Sequence, residues 1–380
     1  PRDVPAPVWR GLSIPAQREC IEPGLVTIAE RLREAGYATA HLGKWHVGDG
    51  PSSPQNQGFD TVLGSWPWSW PKSWFSPYGI KTLPDGPKSE YITDRLATEA
   101  VAWMRANRDR PFFLNFWFYE PHKPLAGRPA DVARHVAAGL KANGQNPDAR
   151  YQAMLEALDD NIGRLLDALD ELGLAGNTLV IFSSDNGGVT GLPRNQPHRL
   201  GKNFFHEGGL RLPFFVRWPA RIPAGSTSAE PVTATDLYPT FLELAGLDAP
   251  AGQPLDGLSL APLLRDPAAR LPERPLFWHF PQYTFEGRMP VAPQGAVRLG
   301  DLKLIVPYAP GATPELYDVV ADPGETRDLA PEHPARVATL RALLLDHLSA
   351  LKAQLVEPIG DGPHSSSPET KLPPLKQETS

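Results

Sequence analysis

Tyr37-Ala38-Thr39-Ala40-His41-Leu42-Gly43-Lys44-Trp45-His46-Val47-Gly48 is the stretch that decides how this chain reads. Tyr37 to Leu42 suits a short strand, and it opens directly into a loop that sets a lysine and a histidine two residues apart between glycines. Lysine supplies a point charge with rotatable donors, histidine exchanges a proton near neutral pH, and glycine lets backbone approach a ligand, so the loop suits an anion. The strand is preceded by a helix signal. Thr27 with Glu30 forms a capping box, Ile28, Ala29, Leu32 and Ala35 fall at helical spacing, and Gly36 marks the stop.

The helix-strand-loop unit recurs twice. A helical pattern from Ile92 to Asn107 leads into the apolar run Phe112 to Tyr119, which reads as a buried strand and opens into Glu120-Pro121-His122-Lys123-Pro124. Met154, Leu155, Leu158, Ile162, Leu165, Leu166, Leu169 and Leu172 mark one face of a long helix stopped at Gly173, and the strand Thr178 to Ser183 then delivers Asp185-Asn186-Gly187-Gly188. In an open, mainly parallel sheet such loops gather at one edge, where ligands bind. From Leu276 the texture changes to short strand-like pieces, Pro275 to Phe280, Ala296 to Leu299, Leu302 to Val306 and Glu315 to Asp318. Val337, Leu340, Leu344, Leu348, Leu351 and Leu355 give the apolar stripe of a covering helix. The expected organisation is an α/β core over 1–274, a small antiparallel α+β subdomain over 275–357, and a Pro/Ser/Lys/Glu-rich tail over 358–380 that is expected to be disordered.

Composition narrows the function class. A chain of 380 residues that is 41% hydrophobic can bury a large core, and a formal charge of −6 provides no basic footprint for nucleic acid, so an anion site has to be built locally. With 44 prolines and 33 glycines, ordered loops should be plentiful, which favours an enzyme over a scaffold. Cys20 is the only cysteine, so neither an internal disulfide nor a thiolate zinc cluster can be made within one chain. No apolar run approaches a membrane span, and the start at Pro1 shows no signal region; a processed or truncated chain is expected.

Asp185 and Asn186 offer a carboxylate and an amide oxygen, which suits a hard cation, calcium first and magnesium as the alternative; taken alone, the pair reads equally as an Asx turn. Lys44, His46, His122 and Lys202 are potential cations on three or four different loops, each of which alone would pass for a solvated or turn residue. Glu207-Gly208-Gly209 reads as scaffold leading into the strand Phe214 to Trp218, with Arg211 a candidate partner for Glu207. Trp66, Trp68, Trp70 and Trp74 alternate with prolines and serines after Gly58-Phe59-Asp60. They could stack on sugar or aryl rings, but the preferred expectation is a loop that folds its own tryptophans over the sheet.

Three segments in this order, Gly43 to Gly48, Phe182-Ser183-Ser184-Asp185-Asn186-Gly187-Gly188, and Gly201-Lys202-Asn203-Phe204-Phe205-His206-Glu207-Gly208-Gly209-Leu210-Arg211-Leu212-Pro213, resemble the type I sulfatase family. The resemblance runs from about Gly24 to Ala330 and implies an alkaline-phosphatase-like fold: a mostly parallel sheet flanked by helices, with a small C-terminal antiparallel subdomain. It implies a sulfuric ester hydrolase, arylsulfatase-like, acting on a sulfated small molecule or glycan, with Ca2+ (or Mg2+) on Asp185 and Asn186. Lys44 and His46 match residues that contact the nucleophile, His122 a general acid, and Lys202 a sulfate-binding lysine, so that Lys44, His122 and Lys202 would bind substrate. A periplasmic or secreted location goes with the family. The chain departs from the pattern at the nucleophile. The Cys/Ser-x-Pro-x-Arg motif that yields formylglycine is absent, Cys20 being followed by Ile21-Glu22-Pro23-Gly24-Leu25, and so is the amino-terminal Asp-Asp metal pair. Both are expected upstream of Pro1, which makes weak metal binding and little turnover the expectation for this exact polypeptide. The alternatives are a phosphonate monoester or phosphodiester hydrolase of the same superfamily and a non-catalytic sulfated-glycan-binding protein.

Overall fold

The computed structural model describes residues 12–16, 20–22, 24–142, 148–190, 195–286 and 289–358. The described residues fall into two compact units, one within 18–194 and 211–273, the other within 12–16, 195–210 and 274–358.

The first unit begins as its sequence dictates. Helix α1, Ile28–Glu34, starts at the expected capping box: Thr27 Oγ1 accepts from the Glu30 amide at 3.2 Å while the Thr27 amide donates to Glu30 Oε2 at 2.7 Å. Strand β1, Ala38–Lys44, lies between β2, Thr61–Trp66, and β3, Phe112–Trp117, and all three run parallel. A strand paired on both edges and covered on both faces has to be apolar along its length, and Ala38 to Leu42 are buried with His41 the one ionisable side chain among them. Helix α2, Ile92–Ala106, and the long α4, Asp148–Glu171, pack against one another and cover this sheet, with the shorter α3, Pro129–Ala137, alongside α4. The strand expected to be buried at 112–119 ends at Trp117 and is only half-buried, with Trp117 exposed.

The sheet is less continuous than the sequence suggests. Strand β4, Val180–Ser183, pairs antiparallel with β5, Phe214–Arg217, in register Val180↔Arg217 to Ser183↔Phe214, as a separate two-stranded sheet. Among the described residues no ladder joins β3 to β4. Both strands instead rest on α4, since Phe112, Leu114 and Val180 pack with Leu165 and Leu169. Helical periodicity located α4 and the strands, but hydrogen-bond partners depend on which edges meet, which a strand's own residues do not encode. An apolar groove of about 340 Å³ runs between α4 and these strands, lined by Leu158, Ile162, Leu166, Phe182 and Phe215 among others; none of the candidate site residues lines it.

In the second unit β6, Leu276–Phe280, β7, Gln294–Leu299, β8, Leu302–Pro307, and β9, Glu315–Asp318, form one antiparallel sheet in the order β9-β8-β7-β6. Helix α5, Pro334–Ala350, lays Leu340, Leu344 and Leu348 on Val297, Leu304 and Leu316. The expected stripe overshoots: Leu351 and Leu355 lie past the helix end and are exposed. Residues 195–210, placed with the α/β core by the sequence, cluster instead with this unit. The cause is buried polar pairing: His206 Nε2 lies 3.2 Å from Glu315 Oε2 and Glu207 Oε1 2.6 Å from Lys303 Nζ. The tail 359–380 lies outside the described residues. Among those described, no helix is long and apolar enough to cross a membrane.

Candidate functional site

Strand β1 delivers its lysine by a forced turn. The β1–β2 register shifts between Leu42 and Lys44, and Gly43 takes φ +89°, where a Cβ would lie 2.1 Å from the Trp117 carbonyl oxygen. Only glycine fits there. Beyond it the side chains divide. Trp45 goes inward, stacked on Trp117 at 5.2 Å and 15° with its Nε1 donating to the Ser52 carbonyl at 2.9 Å, while Lys44 and His46 stay accessible.

Lys44 Nζ lies 3.1 Å from Oδ2 of Asp185, which stands two residues past the end of β4 and 141 positions away in the chain. The Asp185 side chain is 66% exposed and that of Lys44 only 18%, so the ammonium is the more buried of the two. His46 Nδ1 lies 3.0 Å from Ser69 Oγ, and the His122 ring stacks on Trp70 with centroids 5.7 Å apart and planes at 23°. One loop, 67–70, therefore touches both histidines. His122 Nδ1 is 2.7 Å from the Lys123 carbonyl. A carbonyl can only accept, so Nδ1 carries a proton, and Nε2 is the nitrogen that gains or loses one.

The structure thus brings together Lys44 with Asp185, and His46 with His122 through the Ser69-Trp70 loop. Lys202 belongs to the other compact unit, in 195–210, where it is half-buried. Asn186 follows Asp185 and its Nδ2 donates to the Gly187 carbonyl at 2.9 Å, which turns Oδ1 to the role of acceptor or ligand. The donor set suits a hard cation in kind but not in number. Calcium takes about six to eight oxygen ligands, and among the described residues no three His, Cys, Asp or Glu side chains are grouped to hold a metal. Cys20 is exposed.

The tryptophan expectation holds for Trp74 and for Trp66, which packs on the same core cluster, but not for Trp68 and Trp70. Trp74 is buried against Tyr91 and Tyr119, whereas Trp68 is 54% and Trp70 41% exposed, and the Lys72 ammonium lies over the Trp66 ring at 5.8 Å. Two residues escaped the sequence reading. Ser69 was only one of the serines alternating with the tryptophans, and its spacing gave no signal. Glu120 appeared only as the opening of a polar loop, yet it is buried: Oε1 accepts from Thr93 Oγ1, and burial pushes the carboxyl above its ordinary range. It lies two residues from His122 and anchors that loop to α2.

His41, beneath the Lys44 loop, is fully buried. Asn115 Nδ2 donates to its Nδ1 at 3.1 Å, it packs edge-on to Trp45 and Trp117, and burial lowers its pKa from 6.5 to about 4. The folded protein therefore holds this imidazole neutral where the unfolded chain would protonate it. Its stabilising contribution is complete above pH 6.5 and is lost as pH falls toward 4, on the order of 3 kcal/mol in all. Denaturant midpoints at pH 7 and pH 4.5 should show the fall, and His41→Gln should flatten it; an unchanged pH slope in that variant would assign the acid sensitivity elsewhere.

Residues 10–247 match the Sulfatase family and residues 198–354 match the family described as N-sulphoglucosamine sulphohydrolase, C-terminal. A protein described as a sulfatase from Formosa agariphila is 34% identical over 287 residues, covering 70% of this chain and 51% of its own. Human N-acetylgalactosamine-6-sulfatase is 33% identical over 280 residues, covering 66% of this chain and 50% of its own. The chain thus spans about half the length of these curated relatives. Among solved structures, Ps i-CgsB in complex with k-i-k-neocarrahexaose superposes with a TM-score of 0.72 at 28% identity, covering 89% of this chain and 77% of that one.

Proposed function

This chain belongs to the sulfatase family, and from that premise we propose that its α/β unit carries the anion-binding face of a sulfuric ester hydrolase. The observation that carries the proposal is the meeting of Lys44 with Asp185 across 141 residues, beside two histidines held by one loop. Transfer of a sulfuryl group spreads negative charge over non-bridging and leaving oxygens, and donors placed beforehand lower the barrier because they need no reorganisation. Lys44 would face the non-bridging oxygens. His122, its Nδ1 committed to the Lys123 carbonyl, would hand its Nε2 proton to the departing alcohol oxygen as the S–O bond breaks. Glu120 and Trp70 would hold that ring in place. Lys202 is proposed as a further sulfate ligand on its family match alone.

Asp185 and Asn186 would hold a hard divalent cation, calcium first. When bound, it supplies positive charge to the sulfuryl oxygens. The rest of its shell and the formylglycine nucleophile would come from polypeptide outside these 380 residues, whose sequence has no Cys/Ser-x-Pro-x-Arg motif. The substrate would be a sulfated small molecule or glycan, the class to which the names of the relatives point, and a periplasmic or secreted setting fits it.

The test is turnover of an aryl sulfate beside an aryl phosphodiester, in calcium, by the polypeptide encoded by the full reading frame that contains these residues. Faster sulfate release, lost with a chelator and restored by calcium, is expected. A faster phosphodiester reaction would overturn the reading.

A further inference from the structure

We propose that Trp68 and Trp70 form the subsite for the alcohol part of the ester, and that this part is a saturated sugar ring. The inference rests on the sulfate-site reading above and adds the substrate's second half. A tryptophan more than half exposed leaves a large apolar face in water, and such faces commonly mark ligand contacts. Trp68 is 54% exposed and Trp70 41%, while Trp45 and Trp74 are 4% and 6%, so the fold buries tryptophan where it can and leaves these two out. Their placement is the second observation. Trp70 lies on His122, the proposed proton donor to the leaving oxygen, with centroids 5.7 Å apart, and Trp68 lies 6.2 Å from Trp70 at 33°. A group attached to that oxygen would come off next to these rings.

The surroundings select the class of ring. Ser69, whose hydroxyl lies 3.0 Å from His46 Nδ1, separates the two tryptophans, and exposed Lys72 follows them. An aryl or sterol group loses most from water contact and calls for an enclosed apolar slot. Trp68 and Trp70, themselves exposed, form no such enclosure. An aromatic shelf open to water suits instead a ring with one C–H face and a polar edge, which is a pyranose.

Isothermal titration of the 380-residue chain with inorganic sulfate, galactose 6-sulfate, galactose and phenyl sulfate tests this. Galactose 6-sulfate should bind about tenfold tighter than inorganic sulfate, the scale of one aromatic stacking contact. Trp68→Ala should erase that advantage while leaving inorganic sulfate unchanged, and Trp68→Phe should keep part of it. If Trp68→Ala leaves the sugar sulfate as tight as before, the subsite fails while the anion site stands. A Trp68-dependent gain larger for phenyl sulfate than for the sugar overturns the assignment to a saturated ring. If neither inorganic sulfate nor either ester binds, the sulfate-site reading itself falls and the subsite with it.

Discussion

Replacing Lys303 with alanine should destabilise the C-terminal unit by about 3–5 kcal/mol, the cost of removing one partner from a buried ion pair. Lys303 is 0% exposed on β8, with Nζ 2.6 Å from Glu207 Oε1 and 2.9 Å from Glu325 Oε1. Both carboxylates are buried as well, and Glu325 Oε2 also accepts the Glu207 amide at 2.8 Å. Taking the ammonium away leaves two buried carboxylates facing each other without the cation that both contact, and each alternative is costly: both ionised, or one forced to take a proton. Glu325 adds to the expectation because it sits at φ +50°, a conformation a non-glycine residue keeps only when its surroundings hold it. Chemical denaturation of the variant should show the loss, and Lys303→Met should lose a similar amount, since apolar volume does not replace the charge. A loss below about 1 kcal/mol would mean that the triad matches the worth of an exposed pair such as Arg327 with Glu332.

The second large effect should fall on catalysis. In the polypeptide encoded by the full reading frame, Lys44→Ala is expected to lower kcat/KM for a sulfate ester by about 10²–10³, the scale seen when one preplaced donor to a charged transition state is removed. Stability should hardly move, because Asp185 is 66% exposed and its pair with Lys44 is of the kind worth about 0–1 kcal/mol. That contrast separates a chemical role from a structural one. Lys44→Arg should recover little, since a planar fork cannot reproduce a point charge held at the mouth of a narrow turn. A variant that turns over normally, or one that loses stability and activity together, would remove Lys44 from the proposed chemistry.

How much was legible depends on the range of the interaction involved. The capping box at Thr27 and Glu30, the positions of β6 to β9 and the glycine turn into Lys44 all follow from residues a few positions apart, and each appeared where the sequence put it. The stripe on α5 ran past its end because Leu351 and Leu355 keep helical spacing where the helix has already stopped. The candidate site was half legible. Types and spacing flagged Lys44, His46, His122, Asp185 and Asn186, but not Ser69 or Glu120, whose roles exist only once β2, α2 and the two polar loops have met.

By itself, then, the sequence determined the α/β class, the start of α1 and the span of α2, the antiparallel C-terminal strands and the side chains suited to an anion and a hard cation, because propensity, periodicity and donor chemistry are properties of a residue and its near neighbours. Tertiary structure alone decided that β4 would pair with β5, that Glu207 would be neutralised by Lys303, that Lys44 would reach Asp185, and that Trp68 and Trp70 would stay in water while Trp74 was buried. Those outcomes depend on which distant surfaces exclude water from one another, and desolvation is a property of the assembled fold.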